Sequence, residues 1–263
     1  MRPFLEVCRL SFRRQMAYRA ANLSGLATNL FFGLLRAALL TALYGTRHSV
    51  TGVSLAGAIT FTGLTQAVIA LLSIFGWWDV MNSVYSGEVG ADLLKPLGYL
   101  RYWMARDLGR ALAALLTRGL TIMVAYSLIF GITLPRGSGG WSALAAALSL
   151  SWLVSFSWRF LVNLASFWTP NAQGIGRALF ATSWFLSGFI MPLRFFPDWF
   201  NAFCHLTPFP AMVNTVVEVY LGVLSPSQLT TALAVQALWA AALLGASHLA
   251  LHRGVRRLVI QGG

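Results

Sequence analysis

The sequence predicts an all-α polytopic membrane protein, and three observations lead to this fold class. Of the 263 residues 57% are hydrophobic, only 10% are charged, and the mean hydropathy is +0.69. A soluble domain of this length carries roughly a quarter charged residues to cover its surface. The third observation is that apolar runs of about 20 residues, long enough to cross a bilayer as helices, recur along the chain. Barrel strands are shorter, about 10 residues, and alternate in polarity.

Six such runs predict six transmembrane helices, with both termini in the cytoplasm. The predicted spans are residues 23–43, 53–75, 111–134, 141–168, 178–193 and 229–251. Most of the basic residues that do not belong to a span lie on the cytoplasmic side in this orientation, as the positive-inside rule requires. The cytoplasmic ones are Arg2, Arg9, Arg13, Arg14, Arg19, Lys95, Arg101, Arg106, Arg110, Arg177, Arg253, Arg256 and Arg257, and the external ones are Arg47, Arg136 and Arg194. The net charge of +12 therefore indicates topology rather than nucleic-acid binding.

Residues 1–20 are predicted to form an amphipathic helix that lies along the cytoplasmic leaflet. Its apolar arc is Phe4, Leu5, Cys8, Phe12 and Met16, and its charged arc is Arg2, Glu6, Arg9 and Arg13. Such a helix buries its apolar side in lipid and leaves its arginines among anionic headgroups. The alternative is a plain positive flank that orients the first span.

The cytoplasmic segment 81–102 has features of a docking site for a cytosolic partner. Gly87 permits a sharp exit from the second span, and Glu88 and Asp92 are suited to the start of a short helix. Pro96 ends that helix soon after it begins, and leucines 93, 94 and 97 offer apolar contacts. The alternative is a surface loop whose leucines rest on the bilayer.

The external segment 192–222 is apolar but is interrupted by four prolines, so one crossing helix is excluded. A single crossing would also move the carboxyl-terminal arginines to the outside. We expect instead a re-entrant pair of short helices, in which Pro192 or Pro197 bends the first and Pro208 or Pro210 starts the second. Glu218 then lies near the outer interface, as a solvated rim residue or as part of an exit path.

These two segments carry a resemblance to a known family. The stretch SGEVGADLLKPLGYLRYW resembles a pattern of the ABC-2 type permeases, in which a glycine, an acid, two leucines, a basic residue and a proline follow one another. The stretch SGFIMPLRFFPDWFNAFCHLTPFPAMVNTVVEVYLG is similar to their outer re-entrant region. Within the family the chain looks most like the daunorubicin-exporter branch, and the resemblance covers essentially the whole chain.

The resemblance implies a single transmembrane domain over residues 1–263 with named parts. These are a connecting helix (1–20), spans one to four with the coupling loop (23–175), spans five and six (176–251) and a cytoplasmic tail (252–263). The implied ATPase-coupling interface is Gly87, Glu88, Asp92, Leu93, Leu94, Lys95, Pro96 and Leu97. The implied outer gate is Pro192, Phe196, Pro197, Trp199, Pro208 and Glu218.

The resemblance also implies partners and a function. The chain would be the permease of an ATP-driven exporter in the bacterial inner membrane, moving an apolar or amphipathic substrate such as a drug, lipid, peptide or glycan-lipid. Two copies of a cytosolic ATPase and a second permease, identical or homologous, would complete it, within membrane lipid and without nucleic acid. The chain has no Walker motif, so it is not expected to be an enzyme or to bind a cofactor, and ATP and Mg²⁺ would lie on the ATPase.

Three arginines fall within the predicted spans, where each costs roughly 2.5–3.5 kcal/mol if it faces lipid at a helix centre. Arg36 and Arg159 could line a substrate pathway, or they could pack against backbone carbonyls or snorkel. For Arg118 snorkelling or packing against backbone carbonyls is favoured over a place in the pathway.

Two other functions remain as alternatives, an ion-coupled secondary transporter and an intramembrane lipid-modifying enzyme. Both need acidic groups or metal ligands inside the membrane. The predicted spans hold no interior carboxylate, and His248 and His252 have no third ligand, so no metal site is expected.

Overall fold

Long helices dominate the computed structural model, which describes residues 2–47, 49–50, 53–169 and 172–257. Among these residues, five helices are long and apolar enough to cross a membrane. They are Arg19–Tyr44, Leu55–Leu72, Tyr99–Phe130, Gly137–Phe167 and Pro226–Val255. The prediction of an all-α polytopic membrane protein is confirmed, whereas the count of six spans and their orientation stay predictions.

The amino-terminal residues form α1 (Arg2–Ala17) and α2 (Arg19–Tyr44), which are separated by Tyr18. A two-residue antiparallel ladder of β1 (Ser49–Val50) and β2 (Val53–Ser54) follows. It leads directly into α3 (Leu55–Leu72). Ser54 caps α3, because its hydroxyl accepts a hydrogen bond of 3.1 Å from the backbone N–H of Gly57.

Two short helices, α4 (Asp79–Tyr85) and α5 (Val89–Leu93), connect α3 to the next long helix. That helix consists of α6 (Tyr99–Ala114), one π-helical turn (Leu115–Gly119) and α7 (Leu120–Phe130), without a break.

The start of this long helix differs from the predicted boundary at residue 111. The helix begins at Tyr99, directly after Gly98, whose φ of +75° is a left-handed conformation that favours glycine. The first three turns of the helix lie outside the predicted span because they carry charges that lower their hydropathy. The charged residues there are Arg101, Arg106, Asp107 and Arg110.

The helix in the region of the fifth predicted span, 178–193, also has other bounds than predicted. After α8 (Gly137–Asn163) and a 3₁₀ turn (Leu164–Phe167), the chain forms α9 (Ala172–Leu186), a helix of 15 residues. A helix of this length reaches about 22 Å, less than the hydrocarbon core of about 30 Å. The remaining predicted residues, 187–193, are irregular or in a 3₁₀ turn.

The proline-rich segment contains two short helices, α10 (Asp198–His205) and α11 (Asn214–Leu221). Pro197 directly precedes α10, as a bend at the first helix requires. The expectation that Pro208 or Pro210 starts the second helix was wrong, because residues 208–213 are in turns and α11 begins at Asn214.

The last helix, α12 (Pro226–Val255), begins with a capping box. The Ser225 hydroxyl accepts from the backbone N–H of Gln228, and the Gln228 side chain accepts from the backbone N–H of Ser225. Pro226 occupies the first helical position, where its missing N–H costs nothing.

The core of the bundle is built around α3, of which 83% is buried. Helices α2, α6, α7 and α8 pack around it, and α8 in turn carries α11 and α12 on its other side. Helix α1 packs along α6.

One end of the bundle gathers the segments that were predicted to be cytoplasmic. The Ser11 hydroxyl donates to the carbonyl oxygen of Arg106, and Arg110 donates to the carbonyl oxygen of Leu71, the penultimate residue of α3. Gly254, near the end of α12, packs against Phe167. We call this the α1 end. Its composition is what the predicted topology requires, although the side of the membrane that it faces stays a prediction.

Candidate functional site

The predicted coupling residues divide into exposed and anchored groups. Exposed residues are Gly87, Glu88, Leu94 and Pro96, whereas Leu93, Lys95 and Leu97 are half-buried and Asp92 is buried. Leu94 directly follows α5 and is 87% exposed, more than any other large apolar side chain among the described residues. Such an apolar side chain at the α1 end is available to a partner surface.

Asp92 and Lys95 brace this segment from within. The buried carboxylate of Asp92 accepts a hydrogen bond of 2.8 Å from the Ser83 hydroxyl on α4, and a second one from the Lys95 ammonium. The Lys95 nitrogen also lies 3.6 Å from the centre of the Tyr102 ring. Burial alone would lower the pKa of Lys95, but the hydrogen bonds to Asp92 and Tyr102 outweigh it and raise the pKa. These contacts fix α5 between α4 and α6, so the two residues position Leu94.

Helix α1 approaches α6 unusually closely at Gly109. A Cβ atom at this position would overlap the carbonyl oxygen of Cys8 and lie 2.8 Å from the backbone nitrogen of Phe12. Only glycine permits this backbone-to-backbone contact. The hydrogen bond of 2.6 Å from the Ser11 hydroxyl to the carbonyl oxygen of Arg106 lies one turn away. The predicted connecting helix is thus held directly on the helix that follows the coupling segment.

A buried charge cluster lies in the same region, and we define it as Asp107, Arg110, Trp152 and Arg159. Arg159 donates two parallel hydrogen bonds of 3.0 and 2.9 Å to the two carboxylate oxygens of Asp107. Arg110 and the Trp152 indole add bonds of 3.0 and 2.9 Å to the same carboxylate. Asp107 is 2% exposed and Arg159 is 1% exposed.

The cluster joins the helices of the α1 end into one unit. Asp107 and Arg110 lie on α6, Trp152 and Arg159 lie on α8, and Arg110 also reaches the carboxyl end of α3 through Leu71. One turn beyond Arg159, the Asn163 side chain donates to the carbonyl oxygen of Trp77. The four hydrogen bonds replace the hydration that this carboxylate loses on burial.

Asp107 was not among the residues predicted from the sequence, because it lies outside the predicted spans, although the helix that contains it is long enough to cross a membrane. The long helix that contains Asp107 was predicted to begin four residues later. The i,i+3 spacing of Asp107 and Arg110 is a local signal of an ion pair on a helix. Arg159 lies 52 positions away, so its pairing with Asp107 could not be read from spacing.

Arg36 occupies a different junction. Its Nη2 atom donates to the carbonyl oxygens of Phe189 and Ile190, which lie in the irregular stretch after α9, and its Nη1 atom donates to Thr65 at 3.3 Å. The guanidinium also lies 4.9 Å from the Phe189 ring centre. Packing against backbone carbonyls, one of the two interpretations, accounts for the position of Arg36. A role for Arg36 or Arg159 in a substrate pathway stays a prediction.

We expect Arg36→Gln to lower the free energy of unfolding by about 1.5–3 kcal/mol, because hydrogen bonds to a charged group contribute that much. Two carbonyl oxygens that have no helical partner would lose their donor. Urea unfolding in detergent would measure the loss, with the exposed Arg47→Gln as a control for charge. Equal stability of the two variants would contradict this role.

The outer-gate residues lie at the opposite end of the bundle. Arg194 donates to Glu218 at 2.7 Å, and both line a cleft of about 720 Å³ between α10, α11 and the start of α12. Phe196 packs on Phe200 with ring centres 4.9 Å apart, whereas Trp199 is largely exposed. Pro192 directly precedes the 3₁₀ turn Leu193–Phe195, and Pro208 begins the turns at residues 208–213. Glu218 is therefore an ion-paired cleft residue, and its part in an exit path stays a prediction.

A family model described as ABC-2 family transporter protein matches residues 30–262. The chain belongs to the ABC-2 transporter family. No curated protein matches the chain significantly. The predicted family is confirmed, and the daunorubicin-exporter branch stays a prediction.

Membership gives the chain its general role as a membrane permease component of an ABC transporter. An ABC-2 permease is a transport component and not the catalytic ATPase. The matched residues include the coupling segment, the buried charge cluster and the outer cleft. In the residues that the structure describes, no group of three or more His, Cys, Asp and Glu side chains could hold a metal ion.

Proposed function

We propose that this ABC-2 permease is the transmembrane subunit of an ATP-driven exporter in a bacterial inner membrane. It moves an apolar or amphipathic substrate outward, such as a drug, lipid, peptide or glycan-lipid. A separate cytosolic ATPase, present in two copies, holds ATP and Mg²⁺. A second permease, identical or homologous, completes the transporter.

The observation that carries this proposal is the exposed Leu94 on a braced support. A docking contact needs an apolar side chain that fills a pocket on the partner. It also needs a rigid support that holds this side chain in place under load. Leu94 is exposed, and the bonds of Asp92 to Ser83 and Lys95 provide the framework. Glu88 and Pro96, which are also exposed, would form the rim of the contact.

The contacts at the α1 end offer a path for force from the coupling segment into the membrane. Residues 94–98 lead from α5 directly into α6, and α6 continues through α7 without a break. The buried charge cluster ties α6 to α8 and α3. A push on α5 would therefore tilt several long helices as one body.

The opposite end supports an outer gate. Helices α10 and α11 have eight residues each, too short to cross a bilayer, and the start of α11 is buried in the bundle. Ser151 on α8 donates to the carbonyl oxygen of Met212, and Gln236 on α12 donates to that of Ala211. These bonds satisfy irregular backbone that is buried in the bundle, as a re-entrant segment would require.

The buried Asp107 does not favour an ion-coupled transporter. Its two oxygens receive four hydrogen bonds from Arg110, Trp152 and Arg159, which leaves no site for a transported cation. The two arginines also oppose protonation of the carboxylate.

The decisive experiment is Leu94→Asp. We expect at least about thirtyfold weaker binding of the ATPase that co-purifies with the wild-type chain, since truncating a central contact typically costs 2 kcal/mol or more. The permease itself should remain folded, because Leu94 is exposed. Affinity purification with quantitative mass spectrometry measures the partner, and size-exclusion chromatography measures the fold.

Leu206→Asp is the matched control. Leu206 is also highly exposed, at 77%, but it follows α10 at the opposite end of the bundle. The control should retain the ATPase. Normal ATPase binding and normal export by Leu94→Asp would overturn the docking assignment, and a folded wild-type chain that recovers no ATPase would overturn the exporter proposal itself.

A further inference from the structure

A cavity of about 710 Å³ opens at the α1 end, between α1, α4 and α6. It lies beside the coupling segment, but its lining is mainly polar and includes three arginines. These are Arg14 at the end of α1, and Arg106 and Arg110 on α6. The proposed coupling does not use Arg14, and Arg110 uses only part of its guanidinium in the buried charge cluster.

The charges around the cavity leave an excess of positive charge. Three carboxylates also line it, namely Asp79, Glu88 and Asp107. Asp107 is neutralised by both Arg110 and Arg159, and Asp79 lies 3.7 Å from Arg106. Counting Arg159 behind the wall, four arginines face three carboxylates. Arg14 makes no ion pair with any residue in the described part of the chain.

One buried donor in the lining has no acceptor within the described residues. The Nη1 atom of Arg110 is buried without a hydrogen-bond partner, although its Nε and Nη2 atoms are bonded. Burying a guanidinium N–H without an acceptor is costly, so the cavity is suited to a ligand that brings acceptor oxygens.

The surroundings indicate where such a ligand comes from. Helix α1 packs on α6 along its half-buried side, which includes Cys8 and Ser11. On its exposed side Leu5 and Met16 lie next to Arg9 and Arg13, as in a helix at a bilayer surface whose arginines meet the headgroups. Arg14, which lines the cavity, lies on α1 next to the exposed Arg13. A phosphate at this position would be at the depth of lipid headgroups, beside a surface suited to acyl chains.

We propose that this cavity binds the phosphate headgroup of an anionic phospholipid. Arg14 donates to the phosphate oxygens, and Arg110, whose side chain is 17% exposed, turns its unpartnered Nη1 toward them, while the acyl chains remain in the leaflet beside α1. Arginine suits this role because its planar donors match phosphate geometry. The site does not depend on the proposed ATPase docking, since it involves neither Leu94 nor a partner chain.

Native mass spectrometry of the purified chain with phosphatidylglycerol tests the site. The wild-type chain should retain the lipid, and Arg14→Gln should weaken its binding at least about tenfold, the loss expected for charge-assisted hydrogen bonds. Arg13→Gln is the matched control, because Arg13 is the neighbouring exposed arginine of α1 and does not line the cavity. Its binding should equal that of the wild type.

Two further arms separate this site from general surface charge and from soluble phosphate. Ser86→Trp fills the cavity without changing its charge, and it should also release the lipid. Glycerol phosphate, the headgroup without chains, should fail to displace the lipid at equal concentration. Equal losses in Arg13→Gln and Arg14→Gln, retention in Ser86→Trp, or displacement by glycerol phosphate would each overturn the proposal.

Discussion

Asp107→Ala is expected to lower the free energy of unfolding by about 3–5 kcal/mol, the cost of removing one partner from a buried ion pair. The substitution leaves Arg159, which is 1% exposed, and Arg110 without their carboxylate. Two like charges would then face each other in a largely buried site. Unfolding in detergent, followed by circular dichroism or by loss of the monodisperse chromatography peak, would measure the change.

A second substitution, added to Asp107→Ala, tests whether the unpaired arginine charge causes the loss of stability. Arg159→Met removes the more deeply buried of the two arginine charges. The double variant of Asp107→Ala and Arg159→Met should therefore recover part of the lost stability. Arg101→Gln is the control, because Arg101 is an exposed residue of the same helix and should change stability by less than about 0.5 kcal/mol. A double variant that is no more stable than Asp107→Ala would contradict the electrostatic explanation.

Gly109→Val is expected to displace α1 from α6 and to destabilise the α1 end by about 1–3 kcal/mol or more, the cost of overpacking a closed contact. The new side chain would overlap the backbone of α1 at Cys8, and a backbone atom cannot move aside as a flexible side chain can. The ATPase should also be lost, if α1 acts as the connecting helix that the family resemblance implies.

Cys8 itself reports on this displacement. Burial raises the pKa of the Cys8 thiol, so its reaction with a maleimide at neutral pH is slow in the wild type. Moving α1 away would bring the pKa back toward its ordinary value and speed the labelling, whereas Cys204 is buried elsewhere. Gly139→Val is the control, because a Cβ at Gly139 would meet no atom within 4 Å. Unchanged labelling in Gly109→Val would show that α1 tolerates the side chain.

The sequence predicted what depends on apolar length and on local signals. The long helices follow from their hydropathy, and the short helix α5 lies between Gly87, whose φ is +78°, and Pro96, as the residue types indicated. The family and the existence of two short helices in the proline-rich segment were also predictable, since prolines divide that segment.

The features that could not be predicted from the sequence depend on contacts between residues that are distant along the chain. Asp107 is tolerated inside a helix bundle only because Arg159, from another helix, neutralises it. The early end of the helix in the fifth predicted span has a similar reason. Its apolar run continues past Leu186, but the backbone turns at Gly188, with a φ of +77°, and Arg36 binds the carbonyl oxygens that follow. Neither pairing leaves a signal in local hydropathy.

The unbroken helix from Tyr99 to Phe130 acts as a lever of 32 residues. At 1.5 Å per residue it is about 48 Å long, so a tilt of about 10° at its base sweeps the far end through about 8 Å. A displacement of a few ångströms by a partner at Leu94 would thus be amplified at the far side of the membrane. The π turn at Leu115–Gly119 is the one departure from α-helical geometry in this helix, and it lies between the half that carries Asp107 and the half that packs on α3.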